Sequence, residues 1–225
     1  MTTPSPLLAI FDHDGVLVDS LDLHTRAWVA MGRAEDLPIT AELIHETFGM
    51  TNPAIFRKLL GDAATPAAIE RYGDLKEAAY RELARGRIAL MDGVRDVLDR
   101  LTALGFVLAI GSSSVRPNLD LTVAEAGLSG RFAAIASLED ITRGKPDPEV
   151  FLAAARMAGV DPRHAVVFED AIVGIEAAKA AGMRAVGVTT THPAADLARA
   201  GADQVVETLV GFDCDALARA LRGGG

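Results

Sequence analysis

Cysteine is nearly absent from this 225-residue sequence: Cys214 stands alone. No internal disulfide and no cysteine metal cluster can form, and a reducing compartment is the expectation. Basic charge is also scarce, with 22 Lys and Arg against 31 Asp and Glu for a net −9. That balance argues against a nucleic-acid backbone or an anionic membrane as the main partner. A small anionic substrate remains compatible with it, because a metal and one or two local cations reverse the field inside a pocket. Long apolar runs are missing too, since none approaches the ~18 residues that span a bilayer. The opening Met1-Thr2-Thr3-Pro4-Ser5-Pro6 lacks the basic start and apolar stretch of a secretory signal. The expectation is a soluble cytoplasmic protein, a monomer or weak homodimer. Neither internal repeats nor low-complexity segments interrupt it.

Half of the residues are hydrophobic, enough for one large packed domain or a core with a smaller insert. Their spacing divides the chain. Residues 21–31, 41–48, 53–60 and 66–85 show only helical periodicity, separated by Pro38, Gly49 and Gly61. From Gly93 onward strands and helices alternate: strands near 106–110, 132–136, 165–168, 185–188 and 204–206, helices near 94–104, 118–126, 148–158, 172–181 and 209–221. That alternation means βαβ units and a parallel sheet. The helical block of roughly 70 residues is near the lower size limit for a domain. It is read as a cap spanning residues 19–90, inserted into an α/β core of residues 1–18 and 91–225. The hinges are expected near 18–22 and 90–93.

Chemistry concentrates at strand ends. The run Leu7-Leu8-Ala9-Ile10-Phe11 reads as a buried strand. It leads into Asp12-His13-Asp14-Gly15, two acids two residues apart where open α/β sheets place ligands. Burying such a pair without a cation is costly, so a divalent metal is the economical explanation. After the second strand, Ser112-Ser113-Ser114 offers hydroxyls and backbone N–H groups as an oxyanion cradle; the same run also reads as a turn and helix cap. In Gly144-Lys145-Pro146-Asp147-Pro148, Asp147 fits a helix N-cap and Pro148 the first helical position. Lys145 has no capping duty and is a candidate fixed cation. Glu169-Asp170 closes a further strand, either as an acidic helix start or as a second source of hard oxygen ligands for Mg²⁺.

Taken in this order, Asp12-His13-Asp14-Gly15-Val16-Leu17-Val18-Asp19-Ser20, Ser112, Gly144-Lys145-Pro146-Asp147-Pro148 and Phe168-Glu169-Asp170 with Gly174 resemble the haloacid dehalogenase superfamily. The likeness covers essentially the whole chain. It lies with the phosphatase, phosphoglycolate phosphatase and β-phosphoglucomutase branch that carries a small helical cap. It implies a Rossmann-like parallel sheet with an inserted all-α cap, and a phosphoric monoester hydrolase. It further implies Asp12 as the nucleophile that becomes an aspartyl-phosphate and Asp14 as the acid and base. Ser112 and Lys145 would hold phosphoryl oxygens. Mg²⁺ would be bound by Asp12, the Asp14 carbonyl and Asp170, with Glu169 close by. Dehalogenases and the phosphonate-cleaving branch lack the second aspartate, so Asp14 points to a phosphate ester.

Substrate choice is expected to belong to the cap. His24, with Trp28 one turn on, resembles a histidine that assists the second aspartate in β-phosphoglucomutases; related phosphatases share it. The loop Phe48-Gly49-Met50-Thr51-Asn52 has Phe48 and Asn52 where mutases carry basic residues, one of which grips a second phosphate. Gly49 and Asn52 are kept as substrate-side candidates. Arg57 and Lys58 are expected to face solvent and Met50 to pack. Lys76 is either a cap cation or an exposed helix lysine. Ser113, Ser114, Arg116 and Asn118 are candidates for substrate oxygens, although Asn118 also suits a helix cap. His13 is given no role. A hydrolase of a small phosphorylated metabolite, a sugar phosphate or phosphoglycolate, is favoured. A phosphosugar mutase is the alternative, and a non-catalytic binding protein is a weaker one.

Overall fold

The computed structural model describes residues 5–47 and 50–223. Its first strand, β1 (Leu7–Phe11), is buried along its whole length. Side chains alternate across a strand, and Leu7, Ala9 and Phe11 enter one apolar cluster while Leu8 and Ile10 enter another. A strand apolar on both faces belongs in the middle of a covered parallel sheet, and that is its place. β2 (Phe106–Gly111), β3 (Ala134–Ala136), β4 (Ala165–Glu169), β5 (Arg184–Val188) and β6 (Gln204–Val206) complete a six-stranded sheet in the order β3-β2-β1-β4-β5-β6. All five pairings are parallel.

The helices of the first half are α1 (Leu21–Ala34), α2 (Ala41–Glu46), α3 (Asn52–Leu60), α4 (Pro66–Ala84), α5 (Val94–Ala103) and α6 (Arg116–Glu125). Those of the second half are α7 (Glu149–Ala158), α8 (Ile172–Ala180), α9 (Ala194–Arg199) and α10 (Cys214–Arg222). Apolar residues of α5, α6 and α10 cover one face of the sheet. Those of α7, α8 and α9 cover the other. Phe11 and Phe168 on adjacent strands stack with ring centroids 4.6 Å apart, and the edge of Phe212 closes on Phe168 at 5.4 Å.

Between β1 and β2, no strand occurs among the described residues. The helices α1 to α4 instead bury their own cluster, centred on Trp28, Met31, Ile44, Ile55 and Phe56. Threonine hydroxyls of Thr40, Thr51 and Thr65 accept from backbone N–H groups at the starts of α2, α3 and α4, each such cap contributing about 1 kcal/mol. The chain leaves and re-enters the sheet layer side by side: Met91 N donates to Leu17 O at 2.9 Å, and Val18 and Leu90 form an antiparallel bridge.

Three of the boundaries that differ from the sequence reading have a clear local reason. α6 starts at Arg116 with Val115 at the N-cap; Pro117 presets the first turn, and Asn118 becomes a buried residue inside it. Asn118 is therefore no cap. α7 starts at Glu149 with Pro148 at its N-cap, while Asp147 Oδ1 accepts from Glu149 N at 3.1 Å. Asp147 thus serves the helix from one position earlier than expected. The last helix begins at Cys214, because residues 209–213 form a turn that ends on the Asp213 cap.

Candidate active site

The carboxyl edge of the sheet collects the chemistry-bearing side chains. Asp12 N donates to Phe168 O at 2.9 Å, extending the β1–β4 ladder by one residue and aligning Asp12 with the acids that follow β4. Glu169 and Asp170 are both buried. One carboxylate oxygen each of Asp12, Glu169 and Asp170 lies within 4.8 Å of the others. Two glycines make this crowding feasible. A Cβ on Gly15, where φ is +77°, would sit 2.1 Å from Asp170 Oδ2. A Cβ on Gly174 would sit 1.8 Å from Glu169 Oε1, so any other residue there would displace the carboxylate.

Lys145 reaches this trio from the loop before α7. Its Nζ is 2.5 Å from Glu169 Oε1 and 3.1 Å from Asp12 Oδ1. Burial alone would release its proton, but Asp12 and Glu169 outweigh that and hold the ammonium charged. Glu169 Oε2 also accepts from Ala171 N at 2.7 Å. One ammonium does not balance three buried acids. Burial pushes the Asp12 carboxyl up to about 6; Lys145 opposes the rise, while Glu169 and Asp14 add to it. Asp170 is raised well above the usual carboxylate range by burial, then by Glu169 and Asp12. Hard oxygens crowded and under-neutralised in this way fit a divalent cation such as Mg²⁺.

Asp14, two residues on, lives in a different environment. Its Oδ1 accepts from Ser20 Oγ at 2.5 Å and lies 3.1 Å from His24 Nε2; its Oδ2 accepts from Ser114 Oγ at 2.7 Å. His13 Nδ1 is 2.9 Å from the same Oδ1, and His13 Nε2 is 2.7 Å from Thr122 Oγ1. Burial would raise Asp14, yet His13 and His24 more than reverse it and hold the carboxyl well below its ordinary value. His13 thus has a contact that the sequence reading did not give it. Asp14 is absent from the acidic trio, so only its backbone carbonyl remains as the oxygen it was expected to offer a metal.

The cap supplies the opposite wall. Lys76, one of the two readings left open from sequence, is buried rather than solvated. Its Nζ is 2.8 Å from His24 Nδ1, 2.8 Å from Glu77 Oε1, and over the rings of Trp28 and Tyr80 at 5.5 and 5.6 Å. An ammonium can only donate, so His24 Nδ1 accepts from it and Nε2 carries the proton toward Asp14. Glu77 accepts further hydrogen bonds from Asn52 Nδ2 and Asn118 Nδ2, both at 2.6 Å. The cavity between the walls is lined by Asp12, Asp14, Ser112, Ser113 and Ser114 from the sheet edge. From the cap come His24, Trp28, Ile44, Thr47, Met50, Asn52, Ile55, Lys76 and Glu77. Ser113 Oγ is buried there without a hydrogen-bond partner among the described residues.

Of the expected binding residues, two are not on this cavity. Asn118 spends its amide between Glu77 and Arg81, whose Nη1 donates to Asn118 Oδ1 at 3.1 Å. Arg116 is exposed and paired with Asp120 at 2.8 Å. Gly49, with Phe48, lies outside the described residues. Met50 lines the cavity as well as packing in the cap, and Arg57 and Lys58 are exposed as expected.

The sequence reading missed Glu77, an acid in mid-helix with no local signal. It also missed the loop after β5. There Thr190 Oγ1 donates to Gly15 O at 2.6 Å, and Thr191 Oγ1 lies 2.6 Å from Asp170 Oδ2. Thr189-Thr190-Thr191-His192 follows a strand at the same sheet edge as the recognised motifs, which is the signal that could have found it.

The family model for haloacid dehalogenase-like hydrolases matches residues 7–182. Among curated proteins, validoxylamine A 7'-phosphate phosphatase of Streptomyces hygroscopicus subsp. limoneus is 33% identical over 196 residues, covering 86% of this chain and 90% of its own. A β-phosphoglucomutase of Mycobacterium tuberculosis is 35% identical over 233 residues, with 89% and 88% covered. Among solved structures, a variant of CbbY from Rhodobacter sphaeroides in complex with xylulose-(1,5)bisphosphate superposes with a TM-score of 0.80 at 25% identity, covering 92% of this chain and 96% of that one. The six-stranded parallel sheet, its helical insert and these matches agree, and the chain belongs to the haloacid dehalogenase-like hydrolases.

Proposed function

We propose that the protein is a Mg²⁺-dependent phosphomonoesterase of a small phosphorylated metabolite, working through an aspartyl-phosphate on Asp12. The observation that carries this reading is the division of labour between two aspartates two residues apart. Asp12 belongs to the under-neutralised acidic trio, whereas Asp14 is held by the hydroxyls of Ser20 and Ser114 and by His13 and His24, of which Ser114 and His24 line the cavity. Asp12, Asp170 and the Asp14 carbonyl would hold the metal, with Glu169 beside them tied to Lys145 and Ala171 N. When bound, the metal neutralises carboxylate and phosphoryl charge so that two anions can approach.

Asp12 attacks phosphorus as the bond to the leaving oxygen breaks. Asp14, ionised at rest beside His13 and His24, takes up the proton that the incoming phosphate monoanion carries and gives it to that oxygen. Asp14 then takes a proton from water, whose oxygen attacks the aspartyl-phosphate, releasing phosphate and restoring the Asp12 carboxylate. Ser112 and the Lys145 ammonium hold phosphoryl oxygens through both transfers. The tautomer that Lys76 imposes on His24 keeps an N–H directed at Asp14. A β-phosphoglucomutase-like reading has the Mycobacterium relative in its favour. A non-catalytic reading has no missing catalytic position to support it. Phosphate release measured across phosphate esters, with and without Mg²⁺, tests the proposal. Mg²⁺-dependent release is expected. Glucose 1-phosphate isomerised much faster than any ester is hydrolysed would favour the mutase instead.

A further inference from the structure

We infer that Glu77 makes the distal wall of the cleft select esters of an uncharged, hydroxylated leaving group and reject substrates with a second anion. This rests on the phosphomonoesterase reading and narrows its substrate class. Across the cleft from the acidic trio, Lys76 is the only lysine or arginine among the described residues lining the cavity. Its charge is already met by Glu77 at 2.8 Å and by two aromatic faces, and its Nζ also faces His24. Burial raises the Glu77 carboxyl, but Lys76, His24 and the Asn52 amide pull it below its usual value, so it stays ionised. A second phosphate or a carboxylate placed there would meet a fixed negative charge and a spent cation.

Nearby arginines offer no relief. Arg81 is committed to Asn118, and Arg57 is exposed on α3. What the wall does offer suits a hydroxylated carbon skeleton: the apolar surfaces of Trp28 and Ile55 beside the polar Thr47 and Asn52. Specificity here is a difference of affinities set by repulsion as much as by attraction. A phosphoglycolate-like substrate is disfavoured by the same charge.

The test compares kcat/KM of the full-length protein with Mg²⁺ on matched probes: glucose 6-phosphate against glucose 1,6-bisphosphate, and glycerol 3-phosphate against phosphoglycolate. The wild type is expected to favour the neutral member of each pair by at least about tenfold, the scale on which one pocket contact discriminates. Glu77→Gln should shift both ratios toward the doubly anionic member by about tenfold. Asn118→Ser removes a hydrogen-bond partner of Glu77 but leaves its charge, and should leave the ratios unchanged. A wild-type preference for the doubly anionic esters overturns the inference, as does a Glu77→Gln ratio equal to wild type or an Asn118→Ser shift as large as that of Glu77→Gln. If Glu77→Gln does not fold, the wild-type ratios alone decide. No phosphate release from any ester defeats the phosphomonoesterase reading and this inference with it.

Discussion

Two buried lysines, Lys145 at the sheet edge and Lys76 in the helical insert, keep opposite company. Lys145, at the sheet edge, is one cation among three acids, and two of those acids are driven toward their protonated forms. Lys76, on the cap, has one acid, one histidine and two aromatic rings, and its acid is held ionised. The sheet edge is electrostatically incomplete, a site that calls for a cation and an anion brought in together. The cap wall is complete before anything arrives. On the proposed function, chemistry belongs to the unbalanced side and discrimination to the balanced one.

The sharpest way to break that contrast is at Asp12. Asp12→Asn should reduce Mg²⁺-dependent phosphate release by on the order of 10⁴-fold or more, as loss of a nucleophile does, without lowering the thermal midpoint, since one buried negative charge is removed from a crowded trio. Full Mg²⁺-dependent activity in this variant would show that the nucleophile lies elsewhere. Asp14→Asn comes next. It leaves the acidic trio intact and removes the proposed proton carrier, so release should fall by about 10²- to 10⁴-fold. The loss should be smallest for esters with acidic leaving groups such as p-nitrophenol, which depart without a proton. Equal losses for nitrophenyl and alkyl esters would argue against the proton-transfer role.

How much of this contrast was legible in the sequence follows the same division. Asp12, Ser112 and Glu169-Asp170 each follow an apolar run, and strands of a parallel sheet deliver their ends to one edge, so pattern alone assembled that side. The cap wall has no such rule. Lys76 and Glu77 are adjacent on a helix, yet both turn into the cleft, because Glu77 bridges Asn52 on α3 to Asn118 on α6. That bridge spans 25 and 41 residues of sequence, and no local periodicity encodes it. Asn118 reads from sequence as a candidate for substrate oxygens or a helix cap and is neither, because its amide is consumed by Glu77 and Arg81. His13 was read as inert from strand alternation alone; the alternation holds, but the far side contains Thr122 and the edge of Asp14.

A subtler test concerns the residues that hold the acids still. Thr191 Oγ1 lies 2.6 Å from Asp170 Oδ2 and 2.9 Å from Asp170 O. Thr191→Val keeps the shape and removes the hydroxyl, and loss of such a supporting contact typically costs about 10- to 100-fold in metal affinity. Titrating Mg²⁺ against the thermal midpoint reads this directly, because binding to the folded state alone stabilises in proportion to the logarithm of ligand over Kd. The variant should need correspondingly more Mg²⁺ for the same rise. An unchanged titration would mean that Asp170 is oriented by Gly15 and the backbone without help.

The smallest expected effect is at Arg116, and its smallness is informative. Sequence placed this arginine among the candidates for substrate oxygens because it follows the serine loop. The structure turns its guanidinium outward to Asp120, one turn along α6. An exposed pair at that spacing is worth only about 0.3–0.5 kcal/mol. Arg116→Ala should therefore change kcat/KM by less than about twofold, within the range of a surface substitution, and leave the ratio between neutral and doubly anionic esters where it was. A tenfold loss confined to doubly anionic esters would mean that Arg116 swings into the cleft when substrate binds. The cap wall would then gain a cation that its resting geometry does not provide, and the contrast between the two lysines would lose its meaning for specificity.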